Sequence, residues 1–140
     1  MTVTIDQTDD ITTCLEIRRK VFIDEQGVPE ADEVDALDPK CLHLLATDAG
    51  AAVGTARVYM KDGTAKIGRV CVLPSHRGTG LGAALIRAAL VAARQNGGIH
   101  QAKLGAQVHA LGFYEKLGFT AVGPVFDDAG IDHRMMVAPL

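Results

Sequence analysis

A glycine-rich segment with one arginine is the part of this sequence best suited to chemistry. It reads His76-Arg77-Gly78-Thr79-Gly80-Leu81-Gly82 and lies directly before a stretch rich in alanine and leucine. Glycine tolerates positive φ and lets the backbone come close to another group. The first amides of a helix lack partners within the helix, and they bind phosphate groups at the positive end of its dipole. With the cation of Arg77 beside it, the segment predicts a pyrophosphate site; the alternative is a junction that only packs a helix on a sheet.

Two common nucleotide motifs do not fit this segment. A Walker loop places Lys-Ser or Lys-Thr after its last glycine, whereas this chain has Leu81-Gly82-Ala83. A dinucleotide fold places its glycines after the first strand of a parallel set, with an acidic residue about twenty positions later. This chain has His100 and Lys103 in that region. The hypothesis that this protein binds nucleotide phosphates in another way remains open, and binding tests would decide it.

Hydrophobic spacing and turn residues predict the elements that hold the glycine segment. The Asp62-Gly63 pair predicts a tight hairpin turn, because such a turn requires positive φ at both central residues. Three consecutive strands form an antiparallel meander, a long helix follows the glycines, and a hairpin closes the chain. A short first strand contains Val3 and Ile5, and the other predicted strands span 41–48, 52–60, 65–73, 100–107, 119–126 and 131–138. The predicted helices span 11–22, 81–96 and 110–116. The fold class is therefore α/β with a mixed sheet.

Composition limits the classes of partner. The chain has 140 residues, enough for one domain, and 17 acidic against 14 basic side chains give a net charge of −3. No nucleic-acid or membrane partner is expected from this balance. Cys14, Cys41 and Cys71 are an odd number at wide spacing, so we expect reduced, buried thiols and no metal site. The N-terminal residues lack the pattern of a signal peptide, and the expected location is cytoplasmic.

Two sequence blocks in the right order carry a resemblance to a known family. Arg77-Gly78-Thr79-Gly80-Leu81-Gly82, after the strand Arg69-Val70-Cys71-Val72-Leu73-Pro74, resembles the R-x-x-G-x-G signature of the GNAT superfamily of acyl-CoA-dependent N-acyltransferases. Gly112-Phe113-Tyr114-Glu115-Lys116-Leu117-Gly118-Phe119 is similar to a second block of that superfamily. The stretches 18–26 and 130–133 resemble the ElaA/YjcF-type subgroup, whose acceptors are mostly undefined. The resemblance covers essentially the whole chain and implies one N-acetyltransferase domain over 1–140.

The resemblance implies where the cosubstrate acetyl-CoA would bind. Backbone groups of Val70, Cys71 and Val72 would pair with the pantetheine arm as an extra strand does. The amides of residues 77–82 would bind the pyrophosphate. The strand that carries Cys71 would splay from the strand at 100–107, and the thioester would lie in the gap. We expect the Cys71 thiol itself to be inert, because no base lies beside it in the sequence.

The chemistry that follows is direct attack of a primary amine on the thioester. Tyr114, near the sulfur, would protonate the thiolate, since a phenol of pKa about 10 is a competent acid towards a thiolate; otherwise it is a core aromatic. His133 is the expected base because histidine titrates near neutral pH, and Glu25 is the rival. Either residue could instead be structural, a strand-end histidine or a solvated loop carboxylate. The alternative function is a non-catalytic acyl-CoA-binding or sensing module on the same fold.

The acceptor is predicted only by class. Residues 24–38 contain seven carboxylates and no lysine or arginine, so a lid-like connection of charge −7 would favour a cationic small-molecule or peptide amine. Arg18 lies in the apolar stripe of the first helix and is expected to extend past its neighbours to water; the alternative is that it binds an acceptor carboxylate. A homodimer is left open.

Overall fold

A seven-stranded mixed sheet forms the centre of the computed structural model, which describes residues 3–140. The strands are β1 (Val3–Thr8), β2 (Leu42–Asp48), β3 (Ala51–Lys61), β4 (Thr64–Val72), β5 (Gln101–Gln107), β6 (Thr120–Asp128) and β7 (Ile131–Pro139). They lie in the order β1-β2-β3-β4-β5-β7-β6. The helices are α1 (Ile11–Arg18), α2 (Glu30–Glu33), α3 (Leu81–Arg94) and α4 (Leu111–Glu115). The predicted mixed α/β class and the seven predicted strands are confirmed.

Local turn chemistry sets the meander and the final hairpin. Strands β1 to β4 pair antiparallel in sequence order. The turn between β3 and β4 has φ of 52° at Asp62 and 76° at Gly63, as the prediction requires. Ala129 and Gly130 have φ of 53° and 82° in the β6–β7 turn. Strand β7 returns between β5 and β6 and pairs antiparallel with both, so the closing hairpin extends the sheet.

The two faces of the sheet are covered by different helices. Helix α3 packs on β3 and β4 through fully buried side chains such as Leu85, Ile86 and Ala89. Helix α1 and the segment after it cover the opposite face, where Ile17 and Val21 pack against Cys71 of β4. Burying apolar area on both faces stabilises the middle of the sheet. No helix within residues 3–140 is long and apolar enough to cross a membrane.

Strands β4 and β5 form a fork. Their parallel pairing is confined to the residues from Thr64 to Lys66 on β4 and from Gln101 to Lys103 on β5. The remaining lengths of both strands continue without pairing to each other, which confirms the predicted splaying. The open end of the fork points towards the glycine segment that follows β4, so a cleft is left in the middle of an otherwise continuous sheet.

A β-bulge in β4 changes which face its side chains occupy. Thr55 pairs with Cys71 and Arg57 with Gly68, so two residues of β4 lie opposite one residue of β3. Arg69 in the bulge has φ of 52°, a left-handed conformation that is rare for a residue with a side chain. Before the bulge Ile67 packs towards α3, whereas after it Cys71 packs towards α1. An inserted residue shifts the two-residue alternation of a strand by one.

Three expectations about the region up to Cys41 are wrong in part. The first helix is α-helical only to Arg18 and continues as a π-helix over Arg19–Glu25. Arg18 is fully buried and does not extend to water. Cys41 is partly exposed, whereas Cys14 and Cys71 are buried. Arg18 is buried because its guanidinium bonds to Asp38, His43 and Thr55, and no local pattern in the sequence indicates these contacts.

Candidate active site

The fork between β4 and β5 opens into a cavity. Its volume is about 400 Å³. The walls come from β4, β5, β7, the region of α4 and the segment between residues 22 and 37. Tyr114 and His133 both line it, although they are separated along the chain. The structure therefore brings two of the three predicted catalytic side chains to one cavity.

Tyr114 on α4 lines this cavity with a protonated phenol. Its ring packs edge-on against Phe113 and Phe119, with centroid distances of 5.0 and 6.2 Å, which fixes the direction of the side chain. Burial raises the pKa of Tyr114 above its ordinary value of 10.0, and no hydrogen bond contributes to that rise. The phenol is therefore protonated at neutral pH and can donate to a group that enters the cavity.

His133 on β7 lies across from Gln107 of β5 and has a defined tautomer. Its Nδ1 is 2.7 Å from the carbonyl oxygen of Ile131. Because a carbonyl only accepts, Nδ1 carries a proton, and in the neutral ring the lone pair then lies on Nε2. The ring also stacks on Phe126 at a centroid distance of 5.8 Å. The imidazole is thus held in one orientation with its basic nitrogen available.

The glycine segment forms a second cavity of about 250 Å³ at the start of α3. Gly78 and Gly80 have φ of 75° and 86°, conformations that a side chain would oppose. Helix α3 begins at Leu81, and its N-cap Gly80 supplies no side-chain hydrogen bond to the first amides. Those donors are therefore free to bind an anion, as the sequence predicts for this segment.

Arg77 and Glu25 connect the two sides of the site. The Arg77 guanidinium donates to both carboxylate oxygens of Glu25, with N–O distances of 2.5 and 2.7 Å. Its Nε also donates to the carbonyl of Val72 at 3.0 Å. The hydrogen bonds from Arg77 hold the pKa of Glu25 below its usual range. Glu25 is therefore directed at the glycine segment, and its neighbour Gln26 lines the fork cavity instead.

A buried ion-pair network, which the sequence analysis missed, holds the acidic connection on the sheet. Arg57 of β3 donates to both oxygens of Asp35 at 2.8 Å and to Asp38 at 2.9 Å. Arg18 donates to Asp38 at 3.3 Å and lies 2.9 Å from Nδ1 of His43. The hydrogen bonds from Arg57 lower the pKa of Asp35 to about 2. A signal was present in the sequence, because an arginine in the middle of a buried strand requires an acidic partner.

Arg69, in the β4 bulge, joins the same network. It donates to the backbone carbonyls of Asp32 and Glu33 at 3.1 Å and to the side chain of Asp35 at 3.3 Å. Its Nε lies 3.0 Å from Oε2 of Glu33. These contacts compensate for the unfavourable φ of Arg69. The segment from Glu33 to Asp38 is therefore fixed to the sheet, and the expectation of a lid is wrong for this part of the connection.

The same pairs change the expected electrostatics of the connection. Of its seven carboxylates, five form ion pairs with arginine: Glu25 with Arg77, Glu30 with Arg19, Glu33 with Arg69, Asp35 with Arg57, and Asp38 with Arg18 and Arg57. A paired carboxylate contributes little field at a distance. The charge of −7 that the sequence gives to residues 24–38 is therefore mostly neutralised by the arginines paired with it.

The Cys71 thiol is buried in β4 and remains protonated. Burial raises the pKa of its thiol to about 12, so the nucleophilic thiolate is not populated at neutral pH. This agrees with the prediction of an inert thiol. Within residues 3–140 no group of three or more His, Cys, Asp and Glu side chains is arranged to hold a metal ion.

Comparison with known proteins identifies the family. A family model described as an acetyltransferase (GNAT) domain matches residues 8–140. The uncharacterized N-acetyltransferase YjcF of Bacillus subtilis is 40% identical over 122 residues, which are 86% of each chain. The crystal structure of an acyl-CoA N-acyltransferase from Pseudomonas aeruginosa has a TM-score of 0.86 and 31% identity, covering 99% of both chains. Escherichia coli ElaA has a TM-score of 0.87 and 27% identity, covering 98% of this chain and 99% of that one. The chain belongs to the GNAT acetyltransferase family and is an acyltransferase.

Proposed function

We propose that this enzyme transfers an acetyl group from acetyl-CoA to a primary amine of a small molecule or peptide. The observation that carries the proposal is the fork, because its cavity is lined by Tyr114 and His133 and its open end points towards a glycine segment with free helix amides. Similarity to an acyl-CoA N-acyltransferase supports an acyl-CoA cosubstrate. In this proposal one domain over 1–140 performs the reaction.

Acetyl-CoA would bind along the unpaired edge of β4. The backbone of Val70, Cys71 and Val72 would pair with the pantetheine arm, and the amides of residues 77–82 would bind the pyrophosphate. Arg77 would supply a cation to the phosphates. This arrangement would direct the thioester into the fork between β4 and β5, next to Tyr114.

The reaction would proceed by direct attack without an acyl-protein intermediate. The amine nitrogen forms a bond to the thioester carbonyl carbon, and the C–S bond breaks. His133 Nε2 accepts the proton released from the nitrogen, and the Tyr114 hydroxyl donates a proton to the departing thiolate. The free Nε2 and the unbonded phenol support these two roles.

Glu25 remains the alternative base in this proposal, with less support. Its carboxylate is bound by Arg77 on both oxygens, and a lowered pKa makes it a weaker proton acceptor. It would serve as a base only if phosphate binding drew Arg77 away.

The test is release of free thiol from acetyl-CoA in the presence of a panel of amines. The panel contains amino acids, polyamines, aminoglycosides and peptides with free N-termini, and the acetylated product is identified by mass spectrometry. We expect amine-dependent thiol release for at least one member. A protein that acetyl-CoA stabilises against heat but that acetylates no amine would be a binding or sensing module. Stabilisation by ATP or NAD and not by CoA would refute the acyl-CoA assignment.

A further inference from the structure

One carboxylate in the wall of the fork cavity differs from the others in burial and bonding. Glu33 lines the cavity and is only 4% exposed. Asp32 and Asp128 also line it, but both are exposed to water. A buried carboxylate is costly unless its oxygens are paired, so Glu33 requires an explanation that the two exposed residues do not.

The carboxylate of Glu33 is only partly satisfied. Oε2 lies 3.0 Å from Nε of Arg69. Oε1 is buried and makes no hydrogen bond with any group in the described chain. Buried polar atoms in native proteins nearly always have a partner. The free oxygen therefore indicates a hydrogen-bond donor that joins the site when it is occupied.

The surroundings of Glu33 favour a cationic nitrogen as that donor. Arg69, its one close cation, is shared with Asp35 and with two backbone carbonyls, so the charge of Glu33 is incompletely compensated. Burial raises the pKa of Glu33 in spite of the nearby arginines. An ammonium group or an amine N–H fits a buried carboxylate better than a neutral hydroxyl does, because hydrogen bonds between charged groups are stronger.

We propose that Glu33 is the acceptor-binding residue of this enzyme, with its carboxylate accepting a hydrogen bond from the nitrogen of the incoming amine. The proposal rests on the proposed function and adds to it a residue that selects a protonated or N–H-bearing acceptor. The last torsion of a glutamate side chain is broad, so a small rotation presents Oε1 to the cavity while Arg69 keeps its contact. The bulge of β4 would thus hold an acceptor site beside the thioester.

The test compares Glu33→Gln with wild type, using an amine that the wild-type enzyme acetylates. The amide keeps the shape of the side chain and an oxygen for Arg69, but it removes the charge. We expect KM for the amine to rise about tenfold to a hundredfold, the worth of a hydrogen bond to a charged group. KM for acetyl-CoA and the rise in Tm with acetyl-CoA should stay within about twofold. Glu30→Gln, the same change on the exposed side of α2, is the matched control and should leave both KM values unchanged.

The outcomes separate the inference from the proposed function. Unchanged KM for the amine in folded Glu33→Gln, with or without a lower Tm, would make Glu33 structural and overturn the inference while the proposed function stands. Equal rises in both KM values would also overturn it. Absence of amine acetylation by wild type would refute the proposed function and this inference with it. If Glu33→Gln does not fold, Glu33→Asp keeps the charge but withdraws it by one carbon, and a wild-type KM for the amine in that variant would overturn the inference.

Discussion

At the scale of single residues, Tyr114 is the clearest test of the proposed chemistry. The ring is held by Phe113 and Phe119, so Tyr114→Phe removes the hydroxyl and leaves the packing. We expect turnover to fall by roughly 10²- to 10⁴-fold, the usual contribution of a positioned acid, with little change in acetyl-CoA affinity. The other tyrosine of the chain, Tyr59, also lines the fork cavity, so Tyr59→Phe tests whether the loss is specific to the Tyr114 hydroxyl and should keep most of the activity. Turnover equal to wild type in Tyr114→Phe would return Tyr114 to a packing role.

His133 makes a separate prediction through pH. A histidine base must be neutral to accept a proton, so turnover should fall as the pH is lowered. His133→Gln should lose this acidic limb together with most of the turnover. The measurement is a pH–rate profile with saturating acetyl-CoA, and the exposed His109→Gln serves as the control. A His133→Gln enzyme with the wild-type profile, combined with an inactive Glu25→Gln, would transfer the role of base to Glu25.

At the scale of elements, the junction of the glycine segment with α3 makes a prediction about cosubstrate binding. Gly82 has ordinary φ, and an added Cβ would approach only Phe113, at 3.8 Å, whereas Gly80 requires positive φ. Gly82→Val should therefore fold, but its side chain would occupy the second cavity, which Gly82 lines. We expect it to lose the stabilisation by acetyl-CoA, about 2.7 kcal/mol at a hundredfold excess over Kd. Gly97→Val, a substitution in open space, provides the control and should keep the rise in Tm with acetyl-CoA. If Gly82→Val shows the same rise in Tm as wild type, the junction has no role in binding acetyl-CoA.

At the scale of the whole molecule, the ion-pair network predicts how stability depends on pH. Hydrogen bonds from Arg57 lower the pKa of Asp35 from 3.8 to about 2. The ionised Asp35 therefore makes its full contribution to the free energy of unfolding above about pH 4, and this contribution is lost as the pH falls towards 2. Asp35→Asn should reduce the free energy of unfolding by about 2 kcal/mol at pH 7, with a smaller loss in acid. Urea denaturation at several pH values measures this, and Glu30→Gln, at an exposed pair, should change little. A loss that stays constant from pH 7 to pH 3 and below would contradict the assignment.

Local rules were sufficient for much of the fold and for half of the site. The Asp62-Gly63 turn and the start of α3 follow from the backbone preferences of a few adjacent residues, and the structure confirms them. The glycine segment and the block around Tyr114 are each contiguous, so their resemblance to a family can be read directly. The sequence by itself therefore determined the fold class, the family and the candidate acid.

Tertiary structure alone decided which distant groups meet. The pair of Arg77 with Glu25 spans 52 positions, and the bonds from Arg57 to Asp35 and Asp38 join a strand to a connection that the sequence predicts as a free lid. The left-handed Arg69 and the partly unsatisfied Glu33 also depend on these contacts. The physical reason is that turns, caps and helix starts are set by neighbouring residues, whereas ion pairs and the opening of β4 from β5 are set by how whole elements pack. No local preference encodes that packing, so the acceptor side of the site became visible only in three dimensions.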